Sequence, residues 1–411
     1  MTMARRSLAA YATFAALLAA AGLPIYIHAP KFYVDTYGVS LGALGLALFG
    51  LRLLDVVQDP ALGWLAERLR HRRGQAVALG CGGMALGMLG LFAVAPMLPP
   101  LVWFALMLAL VFTSFSFLTI CFYAQGVAKA ATLPGQGHLI LARWRETGAL
   151  LGVCIASITP VVLGIWMNAP FAGFALGFAA LALVAALVMR GEWGSSGIAG
   201  PSGFGVVLGD APARMLLLIA LVNAAPVAIT STLFLFYVEL ALQATGWEGP
   251  LLLLFFLSAA CAAPLWGKLA ERFGSYRTLT VAMWLGIMTF GGTLFLGAGD
   301  LWQFGLICVA SGAVLSADMT ILPAIFAGRL AIIAPAAAQG FALWSFVSKF
   351  TLALAAVVLL PLLQGAGLQS GIGQSSDSAI NLLIIFYAGI PCGLKVIAIV
   401  LLEFVKQLEA S

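Results

Sequence analysis

The sequence predicts an all-α membrane protein with twelve transmembrane helices in two pseudo-symmetric six-helix halves. Composition, the number of apolar stretches and an internal repeat support this prediction. Of the 411 residues, 63% are hydrophobic and 9% are charged, whereas charged residues make up about a quarter of a typical soluble domain. This composition excludes an ordinary soluble protein and makes the lipid bilayer the main surrounding of the chain.

Twelve stretches are apolar over about 20 residues, which is long enough to cross a bilayer as a helix. They are residues 8–28, 42–66, 76–96, 99–124, 142–165, 169–189, 213–238, 249–270, 279–298, 301–327, 338–363 and 380–403. Arg5 and Arg6 before an Ala/Leu run also suit a signal peptide. Because the run continues to about His28, a retained first helix is favoured.

The basic residues predict the orientation. With the N-terminus inside, sixteen of the twenty Lys and Arg residues fall at cytoplasmic ends or loops, and only Lys31 falls outside. Such an excess places both termini in the cytoplasm of an inner (plasma) membrane protein. The basic residues are spread over short loops rather than gathered on one patch, so nucleic-acid binding is not expected. No obligate protein partner is evident.

An internal repeat divides the chain. Residues 60–68 (PALGWLAER) and 264–272 (PLWGKLAER) agree at six of nine positions and close corresponding helices. Between the sixth and seventh helices lies a Gly/Ser-rich stretch typical of a flexible linker. The predicted division is a half of residues 1–190, a cytoplasmic linker of residues 191–212 and a half of residues 213–411. Parallel six-helix repeats are a transporter architecture, with the substrate site between them.

The second predicted helix carries charges at membrane depth. Arg52, Asp55 and Asp59 are spaced three and four residues apart, so they share one helix face. Ionisable groups at this depth usually mark a functional site. A self-neutralising structural cluster is the alternative.

Lys349 is the matching charge in the other half. Asp55 and Lys349 both lie about 16 Å from the cytoplasmic ends of their helices. Arg52 and Lys349 would balance the two aspartates, either as an exchangeable counter-charge for a bound cation or as a permanent latch. Asp318 could join an ion relay or pair with Arg329, and Lys395 receives no role.

No enzyme is expected from this sequence. The six cysteines all lie in apolar stretches, without CxxC or histidine pairing, and are expected to be small core residues rather than a disulfide or metal site. No phosphate-binding loop or nucleophile elbow is present. No cofactor is predicted.

Three segments carry a resemblance to a known family: the stretch from Phe32 to Ser40, the pattern Arg52-x-x-Asp55-x-x-Gln58-Asp59-Pro60-x-x-Gly63-Trp64, and Ser348-Lys349-Phe350. They resemble the melibiose permease-like family. These are the glycoside-pentoside-hexuronide:cation symporters of the major facilitator superfamily. The resemblance implies the major facilitator fold and symport of a solute with Na⁺, Li⁺ or H⁺. It implies that Asp55 and Asp59 bind the cation, that Ser116 supplies a neighbouring hydroxyl, and that Lys349 is the family's lysine of the eleventh helix. Gln58 stands where the family often has Asn, and is expected to complete the oxygen shell with Ser116. Lys349 and Arg52 are expected to supply the counter-charge.

The resemblance is weaker for the substrate. The two carboxylates that bind sugar in the family fall at Ala19 and Thr119, so a disaccharide is doubtful. An amphipathic or other small solute is the alternative. The expected cavity residues are Arg145, Thr119, Tyr123, Tyr26 and Trp344. Phe122 and Phe341 belong to the same aromatic set, for which helix packing is the alternative.

A cytoplasmic gate is expected at Arg68, Arg72, Arg73 and Arg272, although the loop of residues 67–74 could serve only to set the topology. Arg145 and Glu146 could form a gate pair, or Arg145 could face the substrate.

The predicted function is therefore a cation-coupled symporter that moves a small solute by alternating access. A lipid or lysolipid carrier of the same fold is the first alternative, and a non-transporting membrane sensor or assembly factor is the second.

Overall fold

The computed structural model describes residues 3–194, 203–365 and 376–410, and every regular element in this part of the chain is a helix. The first elements are Met3–Ala20 (α1), Leu23–Tyr37 (α2), Leu41–Arg68 (α3), Arg73–Phe92 (α4), Pro100–Ala130 (α5), Gly137–Trp166 (α6) and Pro170–Met189 (α7). They are followed by Phe204–Gly209 (α8), Ala211–Phe236 (α9), Glu248–Phe273 (α10), Ser275–Gly291 (α11), Leu301–Ile333 (α12), Ala338–Gly365 (α13), Asp377–Ile384 (α14) and Ile390–Ala410 (α15). Among the described residues, nine helical stretches are long and apolar enough to cross a membrane.

The first predicted span differs from the structure. The helix breaks after Ala20 and restarts at Leu23, with Pro24 in the first turn of α2, where its missing N–H costs no helical hydrogen bond. α2 then continues to Tyr37, nine residues beyond the predicted end, and stops at Gly38, whose φ of 65° suits glycine. Hydropathy missed this continuation because Lys31 and Asp35 are polar.

Two π-helical segments interrupt the helices described for the C-terminal part of the chain. Tyr237–Ala241 extends α9, and Ile385–Gly389 joins α14 to α15. Pro391 follows the second segment and has no N–H for the carbonyl of Tyr387, which favours a local change of helical register. The Tyr237 and Tyr387 rings stack with centroids 4.1 Å apart. The Tyr237 hydroxyl donates to the carbonyl oxygen of Thr293 at 2.8 Å.

The described chain forms two compact units. The first comprises Met1–Val207 with Leu330–Phe346, and the second comprises Leu208–Arg329 with Val347–Ser411. The start of α13 thus belongs to the first unit. The division at a linker of residues 191–212 stays a prediction, and residues 195–202 of that linker lie outside the described residues.

Candidate functional site

The candidate site of the first unit is built on α3. Ser40 begins this helix by accepting a hydrogen bond from the N–H of Ala43 at 3.3 Å. The helix places Asp55 and Asp59 one turn apart. Asp59 is fully buried, whereas Asp55 and Arg52 are half-buried. A buried carboxylate needs polar or charged company to remain ionised.

Polar side chains of α3 and α5 gather around Asp55. The Ser116 hydroxyl donates to Asp55 Oδ1 at 2.7 Å, and the Gln58 amide Nε2 donates to the same oxygen at 3.2 Å. The Thr113 hydroxyl donates to Gln58 Oε1 at 2.9 Å. The structure therefore brings together the carboxylate, amide and hydroxyl groups of Asp55, Gln58 and Ser116, which the sequence placed in one site.

Thr113 is the member of this group that sequence reasoning missed. Thr113, Ser116 and Thr119 recur every third residue along α5, a spacing that keeps side chains on one helix face. Only Ser116 is fully buried among them. The hydroxyl periodicity was the available signal, and it extends the polar face of α5 beyond the single predicted serine.

Two residues that follow Asp59 on α3, Pro60 and Gly63, shape the helix next to the carboxylates. A Cβ on Gly63 would collide with the Cβ of Ala342 on α13, so glycine is needed for this close approach. Pro60 lies within the helix and cannot donate to the carbonyl of Val56. That carbonyl is consequently a further oxygen, without its helical hydrogen bond, one residue from Asp55.

Arg145 lies in a second polar group of the same unit. Its Nε donates to Glu146 Oε1 at 2.7 Å, and its guanidinium carbon lies 3.9 Å from the centre of the Tyr123 ring. Arg145 and Glu146 are both buried. In the described part of the chain, Arg145 Nη2 has no hydrogen-bond partner. One face of the guanidinium is thus occupied, and one nitrogen can still donate.

The predicted cavity aromatics divide into two sets. The Tyr123 and Phe341 rings are 5.0 Å apart, next to Arg145. Phe122 instead packs against Tyr11 and Phe14 of α1, with centroids 5.3 Å and 5.0 Å apart, as expected for helix packing. Trp344 and Thr119 are half-buried. The side chain of Tyr26 lies outside the described residues.

The remaining predicted residues are spread along the chain. Lys349 lies on α13 within the second unit and is half-buried. Of the predicted gate residues, Arg68, Arg72 and Arg272 are exposed. Arg73 is half-buried, and its Nη1 donates to Gln125 Oε1 at 2.9 Å, which ties the start of α4 to α5.

The structure overturns the pairing of Asp318 with Arg329 and gives Lys395 a partner. Arg329 does not pair with Asp318; it forms two hydrogen bonds to the Asp210 carboxylate, at 2.9 Å and 2.5 Å. Asp318 is instead ion-paired with Lys395, whose Nζ also donates to Asn223 Oδ1 at 2.6 Å. Lys395 is buried rather than extended toward the membrane surface. Sequence could not reveal this pair because it joins α12 to α15 across 77 residues.

No cluster of three or more His, Cys, Asp or Glu side chains that could hold a metal ion occurs within the described ranges. Four of the six cysteines are buried as expected, whereas Cys261 is exposed and Cys392 is half-buried. Cys261 lies in an apolar stretch, so its exposure indicates a helix surface that faces lipid.

Comparison with known proteins shows the family. The family model described as "MFS/sugar transport protein" matches residues 8–407. A putative glycoside/cation symporter of Escherichia coli K12, YagG, is 46% identical over 44 residues, which is 11% of this chain and 10% of that protein. The matched segment is thus a small part of either sequence.

Solved structures show the same fold. The E. coli fucose:proton symporter FucP, in a variant form, aligns with a TM-score of 0.68 at 17% identity, over 98% of both chains. A bacterial homologue of the iron transporter ferroportin, in an outward-facing state with soaked iron, aligns with a TM-score of 0.74 at 14% identity, over 99% of this chain and 100% of that one. These matches confirm the predicted fold class.

The family match, the fold and the membrane-spanning helices agree that this is a multi-pass membrane transporter and not an enzyme: the chain belongs to the MFS/sugar transport protein family of the major facilitator superfamily.

Proposed function

We propose that this transporter is a symporter whose coupling cation binds at Asp55 and Asp59. The observation that carries the proposal is the gathering of the Gln58 and Ser116 side chains on Asp55 Oδ1, at 3.2 Å and 2.7 Å. Carboxylate, amide and hydroxyl oxygens are the ligands that hard monovalent and divalent cations take in proteins. The name of the YagG match, a putative glycoside/cation symporter, is in line with this proposal.

The hydrogen bonds suggest how the site works without its cation. Ser116 and Gln58 donate to Asp55 and thereby stabilise its negative charge in a low-dielectric environment. A cation at Asp55 would replace these donors, because a hydroxyl can rotate and offer a lone pair instead of its proton. Gln58 Oε1, which accepts from Thr113, would need a similar exchange. Na⁺ uses all these oxygens, whereas H⁺ needs only a carboxylate.

The counter-charge role of Arg52 is part of the same proposal. Arg52 lies on the same helix as Asp55 and Asp59, and its guanidinium would compete with a bound cation for these carboxylates, so cation binding and guanidinium release would be linked. The role of Lys349 stays a prediction from the sequence.

The substrate is proposed to be a small hydroxylated or anionic solute that Arg145 contacts through Nη2. The nitrogen is buried without a partner in the described part of the chain, and a guanidinium binds hydroxyl and carboxylate oxygens with directional hydrogen bonds. The adjacent Tyr123 and Phe341 rings would pack against an apolar face of that solute. An amphipathic or lipid-like substrate remains the second candidate, favoured by Ala19 and Thr119 at the positions of the family's sugar-binding carboxylates.

The experiment is a thermal unfolding series on the purified protein at constant ionic strength and pH, with choline replaced stepwise by Na⁺. The wild type is expected to gain stability with the logarithm of Na⁺ concentration above Kd. Asp59→Asn should lose this gain, and Glu403→Gln, at a partly exposed position of α15, should retain it. If the wild type responds to pH rather than Na⁺ and Asp59→Asn does not, the coupling ion is H⁺. Equal responses in all three proteins would refute the cation site.

A further inference from the structure

The first unit has a lipid-facing groove between α4 and α7 that the transport proposal does not use. Its volume is about 640 Å³, and its floor is made of small residues of both helices. The principal floor residues are Gly74, Ala78, Gly82, Ala182 and Ala186. Leu79, Leu183 and Leu187, on or beside its rims, are exposed. Exposed leucines on membrane-spanning helices contact acyl chains, so the groove is open to the bilayer.

The glycines of α4 show which face is filled by protein and which is not. A Cβ on Gly83 would press on the Ser114 hydroxyl, and a Cβ on Gly87 would press on Val111, so this face packs tightly against α5. A Cβ on Gly82 would meet no atom within 4 Å. The groove at Gly82 therefore has room that neighbouring helices do not occupy.

The mouth of the groove is basic. Arg190 lines it, is exposed, and forms no hydrogen bond or ion pair within the described part of the chain. Arg72 is exposed and lies two residues before Gly74. The acidic neighbour Glu192 is already paired with Lys129 at 2.9 Å. A net positive charge is thus left at the membrane-interface end of an apolar groove.

The lining of the groove contains one further polar group. Trp193 also lines the groove and is 8% exposed, and its Nε1–H has no hydrogen-bond partner among the residues described. A buried indole N–H without an acceptor is unusual, because such a group normally finds one.

From this arrangement we propose that the α4–α7 groove is a binding site for an anionic phospholipid. One acyl chain would lie along the small-residue floor, and the phosphate would lie at Arg190. Basic pockets between membrane helices suit anionic headgroups, since each cation near the surface adds to the attraction. A zwitterionic lipid could place its acyl chain on the same floor, but its headgroup has no net charge and would be attracted less strongly to the arginine at the mouth.

The test uses the full chain in mixed micelles with phospholipids brominated on their acyl chains, which quench nearby tryptophans. The difference between wild type and Trp193→Phe isolates the share of the fluorescence that comes from Trp193. We expect phosphatidylglycerol to quench this share at a severalfold lower mole fraction than phosphatidylcholine. Arg190→Gln should bring the two lipids close to equality, whereas Arg277→Gln, an exposed arginine of α11, should leave the preference unchanged.

Gly82→Leu fills the groove without a backbone clash and should reduce quenching by both lipids. Native mass spectrometry of wild type and Arg190→Gln counts retained phosphatidylglycerol independently of the Trp193 substitution. Equal quenching by both lipids in the wild type, or an unchanged preference in Arg190→Gln, would overturn the proposal. A Gly82→Leu protein that loses self-association but keeps its lipid quenching would assign the groove to a second copy of the chain and equally overturn it.

Discussion

At the residue scale, the ion pair of Asp318 and Lys395 offers the sharpest test of buried electrostatics in this fold. Both residues are buried, and Lys395 also bonds to Asn223. Removing one partner of a buried pair leaves an uncompensated charge and costs about 3–5 kcal/mol, whereas replacing both with apolar residues is often neutral. We expect Asp318→Leu and Lys395→Met each to lower the melting temperature strongly, and the double variant to recover most of the loss.

The matched control is Lys406→Met, which breaks an exposed pair with Glu403 on the same helix as Lys395. Exposed pairs contribute about 0–1 kcal/mol, so this variant should melt close to the wild type. Thermal unfolding in one detergent compares the four variants with the wild type. If the double variant is as unstable as the less stable single variant, the loss in the single variants does not come from an unpaired buried charge.

A second prediction at the residue scale concerns pH. The pKa of Asp210, which precedes the first membrane-spanning residue of α9, is lowered chiefly by hydrogen bonds from Arg329, and the N–H of Ala213 adds to the effect while burial opposes it. Because the pKa in the folded state lies below the unfolded value of about 3.9, this contribution is complete above about pH 4 and is lost as pH falls through the lowered pKa.

Arg329→Gln should therefore be less stable than the wild type by about 1.5–3 kcal/mol near neutral pH, the typical contribution of hydrogen bonds to charged groups. The difference should shrink as the pH is lowered below 4. Asp210→Asn should show the same loss near neutral pH while keeping most of the helix cap, since Asn also caps helices well. Melting curves of the three proteins across pH 3 to 7 measure this, and a difference that is constant with pH would contradict the assignment.

At the scale of elements, α1 and α6 approach each other through small residues. A Cβ on Gly148 would collide with the backbone of Ala12, and a Cβ on Gly152 would collide with that of Ala16. These residues form a Gly-x-x-x-Gly pattern facing an Ala-x-x-x-Ala pattern, which lets membrane helices pack closely.

Gly148→Leu is expected to destabilise the protein by about 3 kcal/mol, the upper end of the usual cost of overpacking, because the backbone of α1 cannot move aside as a side chain could. The control is Gly177→Leu on α7, where no atom lies within 4 Å of the added Cβ. Yield of folded protein after detergent extraction and melting temperature both report the effect. Equal behaviour of the two variants would mean that the close approach of α1 and α6 is not required.

Element boundaries show what the sequence can and cannot predict. Hydropathy located α5 and α7 within a few residues at most ends, because membrane spans must satisfy their backbone internally and remain apolar for about 20 residues. It could not foresee α2 beyond residue 28 or the π segment at Ile385–Gly389. Those features depend on tertiary packing, which hydropathy does not record.

The candidate site shows the same limit. Asp55, Gln58 and Ser116 could be grouped from charge, spacing and family resemblance, and the hydrogen bonds agree with that grouping. The pairing of Asp318 with Lys395 could not be predicted, because spacing within one helix says nothing about how two distant helices are rotated toward each other. Thr113 could have been predicted, because Thr113, Ser116 and Thr119 recur every third residue along α5.

At the scale of the whole molecule, the basic residues predict that both chain termini lie in the cytoplasm. A single cysteine placed at Lys406 or at Arg72, in a protein whose six native cysteines are replaced by Ser or Ala, should react with an impermeant maleimide only in inside-out vesicles. A cysteine at Trp302, exposed near the start of α12, should react only in right-side-out vesicles. Labelling of positions 72 and 406 from opposite sides would contradict the predicted topology.

The central claim is that Asp55 and Asp59 together bind the coupling cation, and equilibrium binding of radioactive Na⁺ to the purified protein tests it most directly. With Na⁺ as the coupling cation, the account predicts one saturable Na⁺ per chain in the wild type and no binding in Asp55→Asn or Asp59→Asn. Ser116→Ala should weaken binding by about tenfold or less, as loss of one neutral ligand costs about 1 kcal/mol. Na⁺ binding that survives in both Asn variants, or a wild type that responds to neither Na⁺ nor pH, would contradict the claim.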